Sequence, residues 1–390
     1  MTTDNKIILA REHKIFVVPE TTKGTLVFPA NTNLVVPAGY GNIGQVPTYS
    51  DSEEIVDSRS LLAQFRDALP AGDWSLPMYL RPSGSAGVAP QGGALFKALF
   101  GAENIVASTS VTYALAKQLP SFSIWCKYGD TVFFASGATA DQAKLGISKK
   151  GALKFDMSGK FMTMGWCGTD ELATAITYVA TPITSVTVKD AKKYCVGGKI
   201  KIGADDNSGA GYLVTAVNQT TKVLTISPGI STSQTINTLV APYLPTGAIV
   251  GDPVESRTTS VSFDGGSTTI KIKGMDLSIG NGIQYLEDEI SSVENPTDYV
   301  EGQRSVSGSV TLQMRRDDLS YFYDSIAAGQ VANLKISCGE ATAGKRASIT
   351  MGKARIKAPN MNPSSPTVEL KMDITALGTN GEDEISMLFN

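Results

Sequence analysis

The chain has 390 residues, with 34 Lys+Arg against 37 Asp+Glu and a formal charge of −3. That length suits two or three domains, and the near-balance of charge leaves no overall basic footprint for wrapping nucleic acid. A single histidine, His13, removes His-based catalytic triads and multi-His metal sites from consideration.

Four cysteines (Cys126, Cys167, Cys195, Cys338) sit far apart with no CxxC pair, so buried free thiols are expected rather than a zinc framework or disulfide scaffold. Met1–Lys6 is polar, and no secretory leader is expected. Apolar stretches such as Leu172–Val186 are broken well short of the ~20 residues that span a bilayer. A soluble protein folding in a reducing cytoplasm, with no cofactor, is the expectation.

Abundant Gly (38), with Ser, Thr and Val and only 18% charged residues, favours strands joined by turns, a mostly β fold with a few short helices. In chain order, Asn33–Ile55 reads as an extended segment ending in the acidic Ser52-Glu53-Glu54. Arg59–Leu69 (RSLLAQFRDAL) spaces apolar residues at helical intervals and stops before Pro70. Trp74–Arg81 is extended, and Gly92–Phe100 is a second predicted helix. From Ile183 to Pro245 six lysines stand against three aspartates, and short strands (Ser185–Val188, Lys199–Ile202, Tyr212–Val217, Val223–Ile226) alternate with Gly/Asn/Asp turns. This predicts a small, self-contained inserted β-barrel. Alternation returns in Val261–Leu277, Ser305–Arg315, Val331–Ser337 and Thr367–Ala376, with a third helix predicted at Asp317–Ala328.

The flanks of the insertion match each other. Leu153-Lys154-Phe155-Asp156-Met157-Ser158-Gly159 lies in phase with Leu370-Lys371-Met372-Asp373-Ile374-Thr375-Ala376. Working backwards, Ser123–Cys126 parallels Leu334–Cys338, Ala94–Gly101 parallels Leu319–Ala328, and Trp74–Arg81 parallels Gly308–Arg315. Asn33–Ile55 likewise parallels Thr268–Ile290, which runs into Glu287-Asp288-Glu289. Five matches in one order point to internal duplication, which lets one chain stand for two subunits of a ring. The predicted organisation is therefore a first β-domain at 1–181, a barrel at 182–246 and a second β-domain at 247–390.

The motifs with catalytic overtones have plainer readings. Gly39-Tyr40-Gly41-Asn42-Ile43-Gly44 satisfies GxGxxG, but no helix is predicted to open there for a dinucleotide phosphate, so a glycine-rich turn or bulge is expected. Asp205-Asp206-Asn207-Ser208-Gly209 has Ala210 where a calcium loop needs glycine, and reads as a turn. Asn218-Gln219-Thr220 is a glycosylation sequon that means nothing without a secretory route. Arg315-Arg316-Asp317-Asp318 reads as charge pairing at a strand-to-helix junction. The acid clusters have no base, nucleophile or histidine nearby, so neither a catalytic nor a metal site is assigned.

With these residues in view, the chain resembles the tail tube proteins of bacteriophages with long non-contractile tails. The resemblance rests on the hairpin with an acidic tip, on GQRSVSGSVTLQMRRDDLSYFYDS (Gly302–Ser325), on the strand at 331–338 and on the closing TVELKMDITALG (Thr367–Gly378). The opening KIILAREHKIFVVPE is similar to the start of such proteins, and VTVKDAKKYCVGGKIKIG to a small β-domain that some carry outside the tube.

The resemblance implies two tandem β-sandwich units with flanking helices, whose inner sheets join around a ring, with rings stacking into a hollow tube. It implies a virion protein assembled in the host cytoplasm that conducts double-stranded DNA without binding it. Its implied partners are further copies of itself, a tape measure protein, a tail terminator and distal tail or baseplate proteins. A duplicated unit implies trimeric rings of pseudo-sixfold symmetry, with a hexamer as the alternative. Strong phosphate contacts would hold DNA back, so a neutral-to-acidic lumen is expected. Glu53, Glu54, Glu287, Asp288 and Glu289 are placed on long loops that contact the next ring, and the barrel is expected to project outward, where its deletion (joining Thr181 to Gly247) should leave assembly intact. The competing reading is a surface adhesin or carbohydrate-binding β-protein, which would normally need a secretion signal where none is expected here.

Overall fold

The computed structural model describes residues 7–263, 268–290, 294–316, 331–357, 360–364 and 367–390. Strands dominate these residues, as the composition predicts. The helix expected at Asp317–Ala328 lies outside them.

The predicted helix over Gly92–Phe100 forms as Gly93–Phe100 and is buried on almost every side. Phe96 meets Phe155 edge-on at 5.5 Å and lies 5.7 Å from Tyr113. The helix ends at Gly101, whose φ of 103° and a neighbouring Ala116 Cβ only 2.7 Å from where a side chain would start both demand glycine. The Arg59–Leu69 helix does not form. Gln64–Arg66 is instead a strand paired with Tyr49–Asp51, and Ser50 Oγ donates to Asp67 at 2.8 Å. An amphipathic helix needs a surface on which to bury its stripe. Here Leu61, Leu62 and Phe65 remain exposed on an arm that leaves the body, so cross-strand hydrogen bonds decide the conformation.

The same ladder order occurs in both flanks. In the first, His13–Pro19 pairs with Phe122–Tyr128, which pairs with Thr131–Ala138 and that with Thr163–Cys167. In the second, Ser260–Phe263, Val331–Gly339, Arg346–Ile356 and Ser386–Phe389 pair in the same sequence. Likewise Gly72–Tyr79 lies between Asn42–Gly44 and Lys154–Phe161, and Ser305–Gln313 between Ile272–Gly280 and Thr367–Ala376. Ser75 stands opposite Ser158, and Ser307 opposite Thr375. With the two Leu-Lys-x-Asp strands aligned, Ser75 therefore corresponds to Ser307, two residues from the match that sequence favours. A two-residue slip keeps every side chain on its own face, which is why periodicity alone does not detect it.

Gln142–Ser148 of the first flank pairs along its whole length with Ile272–Gly280 of the second, from Gln142 opposite Gly280 to Ser148 opposite Gly274. Among the described residues this seam merges both flanks into one 15-stranded sheet with a common core containing Leu76, Phe155, Leu277, Val310 and Met372. Polar groups lock it. Asn281 Nδ2 donates to Leu99 O at 3.1 Å and Ala140 O at 2.9 Å while its Oδ1 accepts from Arg304, and Tyr285 Oη donates to Gly137 O at 2.7 Å. Asn281→Ala leaves Arg304 Nε and two buried carbonyls without this partner, while the guanidinium keeps its bond to Ala116 O. A loss of roughly 2 kcal/mol is expected, read as a lower urea midpoint with an unchanged slope.

Candidate assembly surfaces

Three surfaces stand out: the open face of the joined sheet, the arms that leave it, and the barrel packed behind the first flank. Alternate residues of the strands from Gly72–Tyr79 across the seam to Thr367–Ala376 point away from the core. Most are Ser, Thr, Gly or Gln. Lys144, Lys154, Lys160 and Lys371 are interspersed with Asp73, Asp156, Asp276, Asp373 and Glu369, so charges of both signs alternate over short distances. Lys154 pairs with Asp156 at 2.9 Å, and Lys273 reaches Glu369 across the intervening strand. The face is thus mixed in charge and nearly balanced.

Glu53 and Glu54 are exposed on the loop that joins Tyr49–Asp51 to Gln64–Arg66. Glu287, Asp288 and Glu289 follow Gln284–Tyr285, in the loop returning to Tyr299–Val300. The second loop also works inside the chain: Glu287 accepts from Ala71 N at 2.9 Å, Glu289 accepts from Thr297 Oγ1 at 2.9 Å, and Glu294 pairs with Arg66 at the base of the first arm. Asp288 is exposed. The first arm differs in being apolar as well as acidic, with Val46, Tyr49, Ile55 and Phe65 all more than half exposed. Sequence reading overlooked Asn281, Tyr285 and Arg304. A signal for two of them was present, because Ile-Gly is followed by an amide and, four residues later, tyrosine in both flanks (Ile43-Gly44-Gln45…Tyr49; Ile279-Gly280-Asn281…Tyr285).

The glycine-rich Gly39–Gly44 segment runs beside Gly72–Tyr79, where a Cβ on Gly41 would lie 3.1 Å from Ser75 O. It is a kinked edge strand. Asp205 accepts from Asn207 N, Tyr212 Oη and Thr232 Oγ1, and Asp206 from Gly209 N, so both carboxylates serve turns. Asn218 caps a turn in the same way. No cluster of metal-ligating side chains occurs among the described residues, and none of their helices is long and apolar enough to cross a membrane.

The inserted strands form a six-stranded sheet that also takes in Asp170–Glu171, and a bridge between Leu172 and Val188 closes it. Its core does not stop at its own strands. Val186, Ile200 and Val214 share one cluster with Phe16, Trp125 and Phe134 of the first flank, and Lys199 lies 4.0 Å over the Phe28 ring. The barrel is therefore a cover that shares its core with the first flank's sheet, where a self-contained unit was expected. Deleting it would bare those aromatic side chains.

The profile of the phage tail tube protein family matches residues 10–382. The chain belongs to that family. No curated protein matches it. As a tail tube protein it is a structural component of the virion tail, one that self-assembles into a tube and associates with other tail proteins. Its tail tube fold keeps three of its thiols protonated: burial pushes Cys126, Cys167 and Cys338 up to about 12. Cys195 is the half-buried one. Ellman's reagent should accordingly find at most one fast thiol in the native tail tube protein and four after denaturation.

Proposed function

We propose that three copies close into a pseudo-sixfold ring, that rings stack into the tube of a long non-contractile tail, and that the tube conducts double-stranded DNA into the host. The observation that carries this reading is the seam. Two flanks with the same ladder order, read as two copies of one unit, already share one continuous sheet, and each still has an outer edge strand, Asn42–Gly44 at one end and Asn360–Ser364 at the other. A heterologous contact that joins such ends closes a ring when its rotation divides a full turn. A six-copy ring is the alternative stoichiometry.

The open face of the sheet is assigned to the lumen. Its alternating charges give a sliding polyanion no continuous row of cations, so counterion release cannot anchor it. The barrel, on the other side of the first flank, is assigned to the exterior. Tape measure, terminator and distal tail proteins are the expected partners at the tube's interior and ends, with assembly in the host cytoplasm. Purified protein viewed by negative-stain electron microscopy should show rings or tubes with a stained channel, and dispersed monomers at high concentration would overturn the proposal.

Glu53, Glu54, Glu287, Asp288 and Glu289 are assigned to contacts between successive rings. Replacing all five with alanine is expected to shorten tubes and lower their yield by severalfold, while rings persist. Tubes of normal length and yield would remove these residues from the ring contact.

A further inference from the structure

Resting on the ring reading, we propose that the seam inside the chain is the template for the seam between chains. Ala38–Asn42 of one copy lies antiparallel along Lys357 and Asn360–Asn362 of the next, with Asn42 opposite Lys357. Tyr49 docks on that neighbour as Tyr285 docks within the chain.

The register follows from the ladders. Aligning the Leu-Lys-x-Asp strands equates Asp156 with Asp373, and Ser158 with Thr375. Lys144 stands opposite Asp156, and Lys357 N donates to Asp373 O at 2.9 Å, so Lys357 occupies the place of Lys144. On the other side Ser307 corresponds to Ser75, hence Ser278, which faces Ser307, corresponds to Asn42, which faces Ser75. Within the chain Lys144 stands opposite Ser278. Between chains the same rule sets Lys357 opposite Asn42. Arg355 already pairs with Val331, so the free edge begins at Lys357 and meets the stretch running back from Asn42.

Two further observations support a second copy as the occupant. Tyr285 lies in the internal seam, hydrogen-bonded to Gly137 O and Lys160 O, whereas Tyr49, at the corresponding place after Ile-Gly-amide, is 58% exposed. The charges are also complementary. Lys353, Arg355 and Lys357 are exposed along one end and form no ion pair among those of the described residues, while Asp51 is exposed on the arm at the other. Lysines along a free strand edge also discourage indiscriminate pairing until the matching acidic end arrives.

The test uses the full-length chain carrying Asn42→Cys together with Lys357→Cys. Facing residues on neighbouring antiparallel strands have Cα atoms about 4.5–5.5 Å apart, within disulfide range. Oxidised assemblies should run on a non-reducing gel as covalent multimers that neither single variant gives. Independently, Tyr49→Ala should raise the protein concentration needed for assembly by about tenfold or more, while the monomer's urea midpoint stays put. Tyr285→Ala should lower that midpoint. Tubes that form without the cross-link, or that form normally with Tyr49→Ala, overturn the pairing and leave the tube reading standing. A wild-type chain that never assembles overturns both.

Discussion

Everything else in the molecule is arranged around a strand ladder between residues far apart in sequence, Gln142–Ser148 against Ile272–Gly280. A sheet edge is a row of unpaired backbone donors and acceptors, and leaving it open invites uncontrolled pairing. Here one edge from each flank satisfies the other. The consequence is a core common to both flanks, in which Leu145 of one and Leu277 of the other are both buried. Asn281, Tyr285 and Arg304 then fix the register with hydrogen bonds that an out-of-step pairing would leave unmade.

The remaining edges are covered by unlike elements. Ser386–Phe389 is flanked on its far side by Ser110–Leu115, half of a hairpin that follows the buried helix. Its counterpart Thr163–Cys167 meets the barrel instead, through the bridge from Cys167 to Tyr194. The barrel also packs Gly197 and Gly198 against the Phe134 ring, and taking a phenylalanine side chain out of water is worth roughly 1.5–3 kcal/mol.

Much of this was legible in the residues, unevenly. Glycine-rich, alternating segments declared a β protein, and the Leu-Lys-x-Asp repeat declared the parallel between flanks, because inward and outward side chains must keep phase whatever the surface does. The helix at Gly93–Phe100 was readable since its apolar residues have a core to enter. Arg59–Leu69 carries an equally convincing pattern and fails, since periodicity states which residues would share a face and nothing about whether a partner for that face exists. The arm's acids were visible, but not the reach of Glu287 to Ala71 N or of Glu294 to Arg66, which depends on which loops the seam brings together. The seam itself was invisible, because neither of its strands differs in composition from strands that pair locally.

Fusing two units into one chain also changes how assembly depends on concentration. Contacts between tethered units form at an effective concentration set by the connection, commonly about millimolar for short flexible links. In a ring built as proposed, alternate seams are complete as soon as each chain folds. Only the other seams must wait for a diffusing neighbour, so nucleation requires fewer encounters than a ring of separate units and responds less steeply to dilution.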